Sequence, residues 1–186
     1  MISNNKLKLW AHQQPWINST YGVASLLKRS FFYRYPLSKN PKNNPFFIIG
    51  AARSGNTLLR AILAAHNSVA IPPESYALGN IARVWQRNNF LEWSELIRLV
   101  IGAFESHEEF YTWSIDLAPL YRKLDQIKEQ DRSLAAVITE VFSAYSEIHA
   151  PGATLWGDKT PLNSEYLPWI SATFPKAKYV HIIRDG

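Results

Sequence analysis

The sequence predicts an α/β fold in which a parallel sheet is flanked by helices and interrupted by a helical insertion. Residues 46–49 are all apolar, as expected for a short strand that is buried on both faces. A glycine-bounded loop and a run of strong helix formers follow, which is the opening of a βαβ unit. A second apolar run at 179–183 predicts another buried strand after a long, mainly helical region. Together these patterns favour a parallel sheet over an antiparallel one.

The elements are expected in a fixed order along the chain. The predicted strands are 46–49, 69–71, 154–156 and 179–183, and the predicted helices are 57–65, 76–86, 93–104, 132–148 and 164–173. Two prolines after the second strand end it, and the helices between residues 75 and 149 form the insertion between the second and third strands. Residues 157–161 are expected to form a turn.

Composition limits the classes of function. With 186 residues, 47% of them hydrophobic and 19% charged, the chain suits one globular domain. The absence of Cys excludes disulfides, thiolate metal sites and cysteine nucleophiles. No grouping of His, Asp and Glu has metal-ligand spacing, so no metal is expected. No apolar run approaches the roughly 20 residues of a membrane span, and no signal peptide opens the chain, so a cytoplasmic protein is expected.

The positive charge is confined to one end of the chain. Residues 1–44 contain seven Lys or Arg and no Asp or Glu, whereas residues 45–186 contain 13 basic and 15 acidic residues. We therefore divide the chain into a basic N-terminal extension, 1–44, and a domain, 45–186, that is not expected to bind nucleic acid. The extension has three open interpretations: a segment that packs on the domain, a membrane-surface contact, or an organellar transit segment.

The loop after the first strand carries the spacing of a phosphate-binding loop. Residues 50–57 read Gly-Ala-Ala-Arg-Ser-Gly-Asn-Thr, in which small residues allow backbone amides to converge on phosphate oxygens at a helix N-terminus. A loop that binds a nucleoside triphosphate has Lys where this chain has Asn56. This chain therefore lacks the main cation that such loops offer to the β- and γ-phosphates. Arg53 offers charge from another direction. The loop predicts a phosphate-like ligand and argues against an ordinary ATPase or GTPase.

Three motifs in order resemble those of the sulfotransferases that use 3′-phosphoadenosine-5′-phosphosulfate (PAPS). Residues 45–60, with the Pro-Pro-Glu of 72–74, resemble the 5′-phosphosulfate loop of the bacterial and tyrosylprotein branch. Residues 157–161 resemble that branch's lysine-containing turn, and 174–186 resemble the strand that opens its 3′-phosphate motif. The resemblance implies a P-loop-type sheet. It also implies an N-terminal fragment, because a Ser that binds the 3′-phosphate lies beyond the family's counterpart of Arg184.

The resemblance implies a role for each of eight residues. Those implied to bind the co-substrate are Arg53, Ser54, Gly55, Asn56, Thr57 and Arg184, the last at its 3′-phosphate. Those implied to be catalytic are Arg53, Glu74 as the base and Lys159 as the cation beside the leaving group. The alternatives are structural: Glu74 could face the dipole of the helix that follows it, Asp158 could cap a turn, and Arg184 could pair with an acid.

The function implied is transfer of a sulfuryl group from PAPS to a hydroxyl of a carbohydrate, a small molecule or a protein tyrosine. Aromatic residues of the insertion are expected to line the acceptor pocket, namely Trp85, Trp93, Tyr111 and Trp113. Two alternatives stay open: a P-loop kinase of small molecules, and a non-catalytic truncated remnant. On this interpretation the isolated 186-residue chain is expected to show no measurable sulfuryl transfer, because the 3′-phosphate motif is incomplete.

Overall fold

The computed structural model describes residues 33–39 and 44–184, and within these ranges it contains one four-stranded parallel sheet. The strands are β1 (Phe46–Gly50), β2 (Val69–Ala70), β3 (Leu155–Lys159) and β4 (Lys178–Ile182), in the spatial order β2–β3–β1–β4. Most of the basic extension, 1–32 and 40–43, lies outside the described residues, and so do the interpretations that rest on it. The predicted α/β fold is confirmed.

The central strand fixes which strand ends lie together. Within β1, Phe46 pairs with Gly157 of β3 and Ile48 pairs with Lys159, and on the other side Gly50 pairs with Ile182 of β4. All of these pairings are parallel. The carboxyl ends of β1, β3 and β4 therefore meet at one edge of the sheet, where ligands bind in open parallel sheets.

Six α-helices cover the sheet or form the insertion in the described part of the chain. They are α1 (Asn56–Ala64), α2 (Leu78–Asn88), α3 (Trp93–Glu105), α4 (Ala118–Asp125), α5 (Leu134–His149) and α6 (Leu167–Thr173). Capping interactions stabilise the N-termini of two of them. Glu92 and Glu95 form a capping box at α3, and the Ser133 side chain accepts a hydrogen bond from the Ala136 amide at α5. Helices α2 to α5 stand between β2 and β3, so the predicted insertion is confirmed. The sequence analysis missed α4.

The insertion and the sheet share one hydrophobic core. Phe142 of α5 stacks on Trp156 of β3 with ring centroids 4.2 Å apart, and Phe47 of β1 meets the same indole edge-on. Three tryptophans predicted to line an acceptor pocket are core residues instead, since Trp85, Trp93 and Trp113 are at most 2% exposed. That prediction is wrong for them: large aromatic side chains supply most of the area that the insertion buries.

Two predictions about the strands need correction. Residues 157–159 form no turn but continue β3, because their backbone keeps the parallel pairing with β1. The fourth strand is not buried: residues 178–181 are exposed and Ile182 is half-buried. An apolar run shows strand propensity but not position in the sheet, and β4 is one of the two edge strands among the described residues. None of the helices in these ranges is long and apolar enough to span a bilayer.

Candidate active site

Two glycines shape the loop that joins β1 to α1. An added Cβ at Gly50 would lie 2.7 Å from the carbonyl oxygen of Ile182, so only glycine lets β1 and β4 approach this closely. Gly55 has φ +98°, a left-handed conformation that turns the chain into α1. Arg53 also lies in the left-handed region, with φ +65°, and is exposed. The loop thus follows the path that its G-x-x-x-x-G spacing predicts.

The first turn of α1 offers unpaired amides to an anion. The helix has no side-chain cap and no acidic residue in its first turn, so no side chain of the helix itself compensates its positive dipole end. This observation fits a bound phosphate. Ser54 is half-buried in the loop, and its amide donates to the Ala51 carbonyl over 3.3 Å.

Asn56 holds the loop from inside. Its Nδ2 donates to the carbonyls of Ala51 at 2.9 Å and Gly50 at 3.4 Å, and the residue is 5% exposed. Its Oδ1 is buried and has no partner among the described atoms. The side-chain amide therefore stabilises the loop conformation, and a direct contact of Asn56 with phosphate stays a prediction.

Arg184 brings a second cation to the loop. Its Nη1 donates to the carbonyl oxygen of Arg53 over 3.3 Å, although 131 residues separate the two in sequence. Residues 183 and 184 follow β4 at the same edge of the sheet as the loop after β1. The two arginines that the resemblance assigns to phosphates of PAPS are therefore neighbours, and both are exposed.

Glu74 and Lys159 form an ion pair at this edge. The Lys159 ammonium donates to a Glu74 carboxylate oxygen and also to Thr57 Oγ1, at 3.3 Å. The side chains are 5% exposed for Lys159 and 23% exposed for Glu74. Glu74 does not lie in the first turn of the next helix, because α2 begins at Leu78. The structure thus brings together three predicted site residues from α1, β3 and the segment after β2.

Arg60 holds the segment that carries Glu74. From α1 its guanidinium donates to the Pro72 carbonyl at 2.9 Å and to the Ile71 carbonyl at 2.9 and 3.2 Å. The sequence analysis did not single out this residue. A helical Arg shows in the sequence only that it is charged, and nothing there tells which carbonyls it reaches.

Asp158 precedes Lys159 in β3 and is fully buried. Its carboxylate accepts from Ser75 Oγ at 3.0 Å, Thr160 Oγ1 at 3.1 Å and Asn163 Nδ2 at 2.6 Å. The Ser75 amide donates in turn to Thr160 Oγ1 over 3.0 Å. Burial raises the pKa of Asp158, and the three donors oppose that rise. The sequence analysis considered Asp158 only as a turn cap, which is wrong because no turn exists there.

Tyr76 lies two residues after Glu74 and contacts the insertion through its ring. It has φ +47°, which is unusual for a residue with a bulky side chain, and its ring stacks on His107 with centroids 5.1 Å apart. Hydrogen bonding to Glu74 and then partial burial raise the pKa of Tyr76 to about 12. Tyr111, predicted to line the acceptor pocket, is 76% exposed.

The chemistry available is that of a carboxylate and several cations around an anion site. Glu74 can accept a proton, Lys159 can donate to an oxygen that gains negative charge, and Arg53 and Arg184 can neutralise phosphate. Within the described residues no three His, Asp or Glu side chains are grouped to hold a metal. This combination suits transfer of a group from an anionic donor.

The sequence is similar to those of known proteins. A model of the sulfotransferase family matches residues 45–186. The chain is 29% identical over 140 residues to a Caenorhabditis briggsae protein described as a protein-tyrosine sulfotransferase, covering 75% of this chain and 39% of that protein. It is 30% identical over 149 residues to protein-tyrosine sulfotransferase 1 of Rattus norvegicus, covering 78% of this chain and 32% of that one. The chain thus spans about a third to two fifths of the length of these relatives.

Proposed function

Because the chain belongs to the sulfotransferase family, we propose that it is part of an enzyme that transfers a sulfuryl group from PAPS to an acceptor hydroxyl. The observation that carries the proposal is the Glu74–Lys159 ion pair, which lies beside the uncapped first turn of α1. A base and a cation for the leaving group are both needed in sulfuryl transfer. Here they are adjacent to a site that fits phosphate.

Each residue has a distinct role in the proposed reaction. The amides of the loop and of the first turn of α1, with Arg53, bind the 5′-phosphate, and Arg184 binds the 3′-phosphate. Glu74 takes the proton of the acceptor hydroxyl while that oxygen forms its bond to sulfur. Lys159 stabilises the negative charge on the bridging oxygen as the bond between that oxygen and sulfur breaks, and adenosine 3′,5′-bisphosphate leaves.

We propose protein tyrosine as the acceptor. Two relatives are described as protein-tyrosine sulfotransferases, and Tyr76 with His107 forms an aromatic surface next to Glu74 on which a phenol ring can stack. Burial of Trp85, Trp93 and Trp113 removes three of the four side chains that were expected to line an acceptor pocket, whether for a sugar or for an aryl group. Carbohydrate and small-molecule acceptors are then outcomes of the test. The family match also disfavours the small-molecule kinase.

The test uses the protein encoded by its complete reading frame. We expect calorimetric titration to show binding of adenosine 3′,5′-bisphosphate in preference to 5′-AMP, with affinity weakened at least about tenfold by Arg53→Ala. Exposed Arg87→Ala is the matched control. A chain that binds neither nucleotide would support the remnant interpretation.

Turnover tests the role of Glu74 separately. With radiolabelled PAPS and a tyrosine peptide, Glu74→Gln should lower turnover by about 10²–10⁴-fold, the usual contribution of a general base. The affinity for adenosine 3′,5′-bisphosphate should stay the same, because the proposed phosphate ligands are untouched. Turnover that survives the substitution would show that another group removes the proton.

A further inference from the structure

Asp158 is a buried carboxylate that the proposed reaction does not use. It precedes Lys159 in β3, and neighbouring residues of a strand point to opposite faces of the sheet. Lys159 reaches Glu74 and Thr57, whereas Asp158 reaches Ser75, Thr160 and Asn163. Asp158 shares no hydrogen bond with Glu74 or Lys159 among the described residues, so it holds their positions through the residues that it binds.

Two of its partners connect the segment of Glu74 to the end of β3. Ser75, the residue after Glu74, donates through its hydroxyl to Asp158 and through its amide to Thr160 Oγ1. Thr160 Oγ1 donates to Asp158 in turn, at 3.1 Å. The three residues form a closed network that spans 83 to 85 positions of sequence and contains no exposed member.

The segment that carries Glu74 is held on both sides of that residue. On its N-terminal side, Arg60 holds the carbonyls of Ile71 and Pro72, and on its C-terminal side Ser75 is held by Asp158 and Thr160. Asp158 accepts a hydrogen bond from each of the other two residues of the network, and it therefore joins the C-terminal side of Glu74 to β3.

We infer that Asp158 is a positioning residue, which fastens the segment of Glu74 to the strand of Lys159 and so holds the two side chains together. Its importance for catalysis rests on the proposed function. The attachment itself does not, because it is a property of the folded chain. The two can accordingly be tested by different measurements.

The first measurement is the rate at which an amine-reactive acylating reagent modifies Lys159. Mass spectrometry follows the reaction, and the rate is divided by that of exposed Lys176. With its partner held in place, Lys159 should react slowly, since its side chain is 5% exposed. Ser75→Ala removes and Asp158→Asn weakens the attachment of Ser75 to residue 158, so each should raise the normalised rate by about tenfold or more as the site opens. Ser75→Thr, which restores a hydroxyl, should return the rate towards that of the wild type.

A matched control and a second readout complete the test. Exposed Ser164 donates only to the nearby Pro161 carbonyl among the described atoms, so Ser164→Ala should leave Lys159 as slow as before. Unchanged acylation in folded Ser75→Ala and Asp158→Asn would overturn the inference. If Asp158→Asn does not fold, Ser75→Ala decides alone.

Turnover then reports on the consequence for catalysis. We expect kcat to fall by about 10²-fold in Ser75→Ala with an unchanged KM for PAPS, as small misplacements of reacting groups have effects of this size. Faster acylation of Lys159 with unchanged kcat would overturn the positioning role. If the wild type transfers no sulfuryl group, the proposed function fails, and acylation still tests the attachment.

Discussion

The Glu74–Lys159 ion pair should make a measurable contribution to the free energy of unfolding. Exposed ion pairs contribute about 0.2–1 kcal/mol, whereas removal of one partner of a buried pair costs about 3–5 kcal/mol. The side chains are 23% and 5% exposed, which places this pair nearer to the buried class. Thr57 Oγ1 remains a partner for Lys159 after Glu74 is changed, and this lowers the expected cost. We expect a coupling energy of about 2 kcal/mol.

A double-mutant cycle measures that coupling. The free energy of unfolding in urea is determined for the wild type, Glu74→Gln, Lys159→Met and the double variant. Both substitutions keep the approximate shape of the side chain while removing its charge. We expect the double variant to be more stable than the sum of the single effects predicts, because it leaves no unpaired charge. A coupling below about 0.5 kcal/mol would refute the argument, since it would place the pair among solvated surface pairs.

Three further predictions concern residues around the pair. Arg60→Met should lower the free energy of unfolding in urea by about 1–3 kcal/mol, as two carbonyls lose their donor; an unchanged value would mean that water replaces it. Because the folded pKa of Asp158 is raised above 3.8, the stability that its neutral form contributes is complete below that value and is lost as the pH rises through the folded pKa. The stability advantage of the wild type over Asp158→Asn in urea should therefore shrink with rising pH, and an advantage that grew would show that the hydrogen bonds outweigh burial. Gly157→Ala should cost about 1–3 kcal/mol in thermal unfolding, since its Cβ would lie 2.5 Å from the Phe46 ring, and Phe46→Leu should relieve much of that cost.

Features that depend on neighbouring residues could be predicted from the sequence. The apolar run of β1, the spacing of the glycines and the helix formers after them together predict strand, loop and α1. The proximity of Glu74 and Lys159 could also be predicted. Glu74 follows one strand of a parallel sheet and Lys159 ends another, and the carboxyl ends of such strands share an edge. The roles predicted for Glu74 and Lys159 came from the resemblance to sulfotransferases that use PAPS.

Features that depend on contacts between distant residues could not be predicted. Asp158 and Ser75 are separated by 83 positions, and their hydrogen bond leaves no periodic pattern in the chain. The exposure of β4 depends on its position at the edge of the described sheet, which strand propensity does not report. Trp113 was assigned to a pocket because aromatic residues serve both cores and binding sites, and composition does not separate the two uses.

Tyr76 lies where two parts of the molecule with different tasks adjoin. The sheet edge and α1 carry the groups proposed for the nucleotide, whereas His107, which stacks on Tyr76, follows α3 in the insertion. The left-handed backbone of Tyr76 is costly for a tyrosine, by about 1–2 kcal/mol, and the stacking contact helps to offset that cost. On this arrangement, exchange of residue 76 and its partner would alter the surface offered to an acceptor while the nucleotide half stays as it is. On the proposed function, the acceptor and the sulfuryl donor are then recognised by separate parts of this chain.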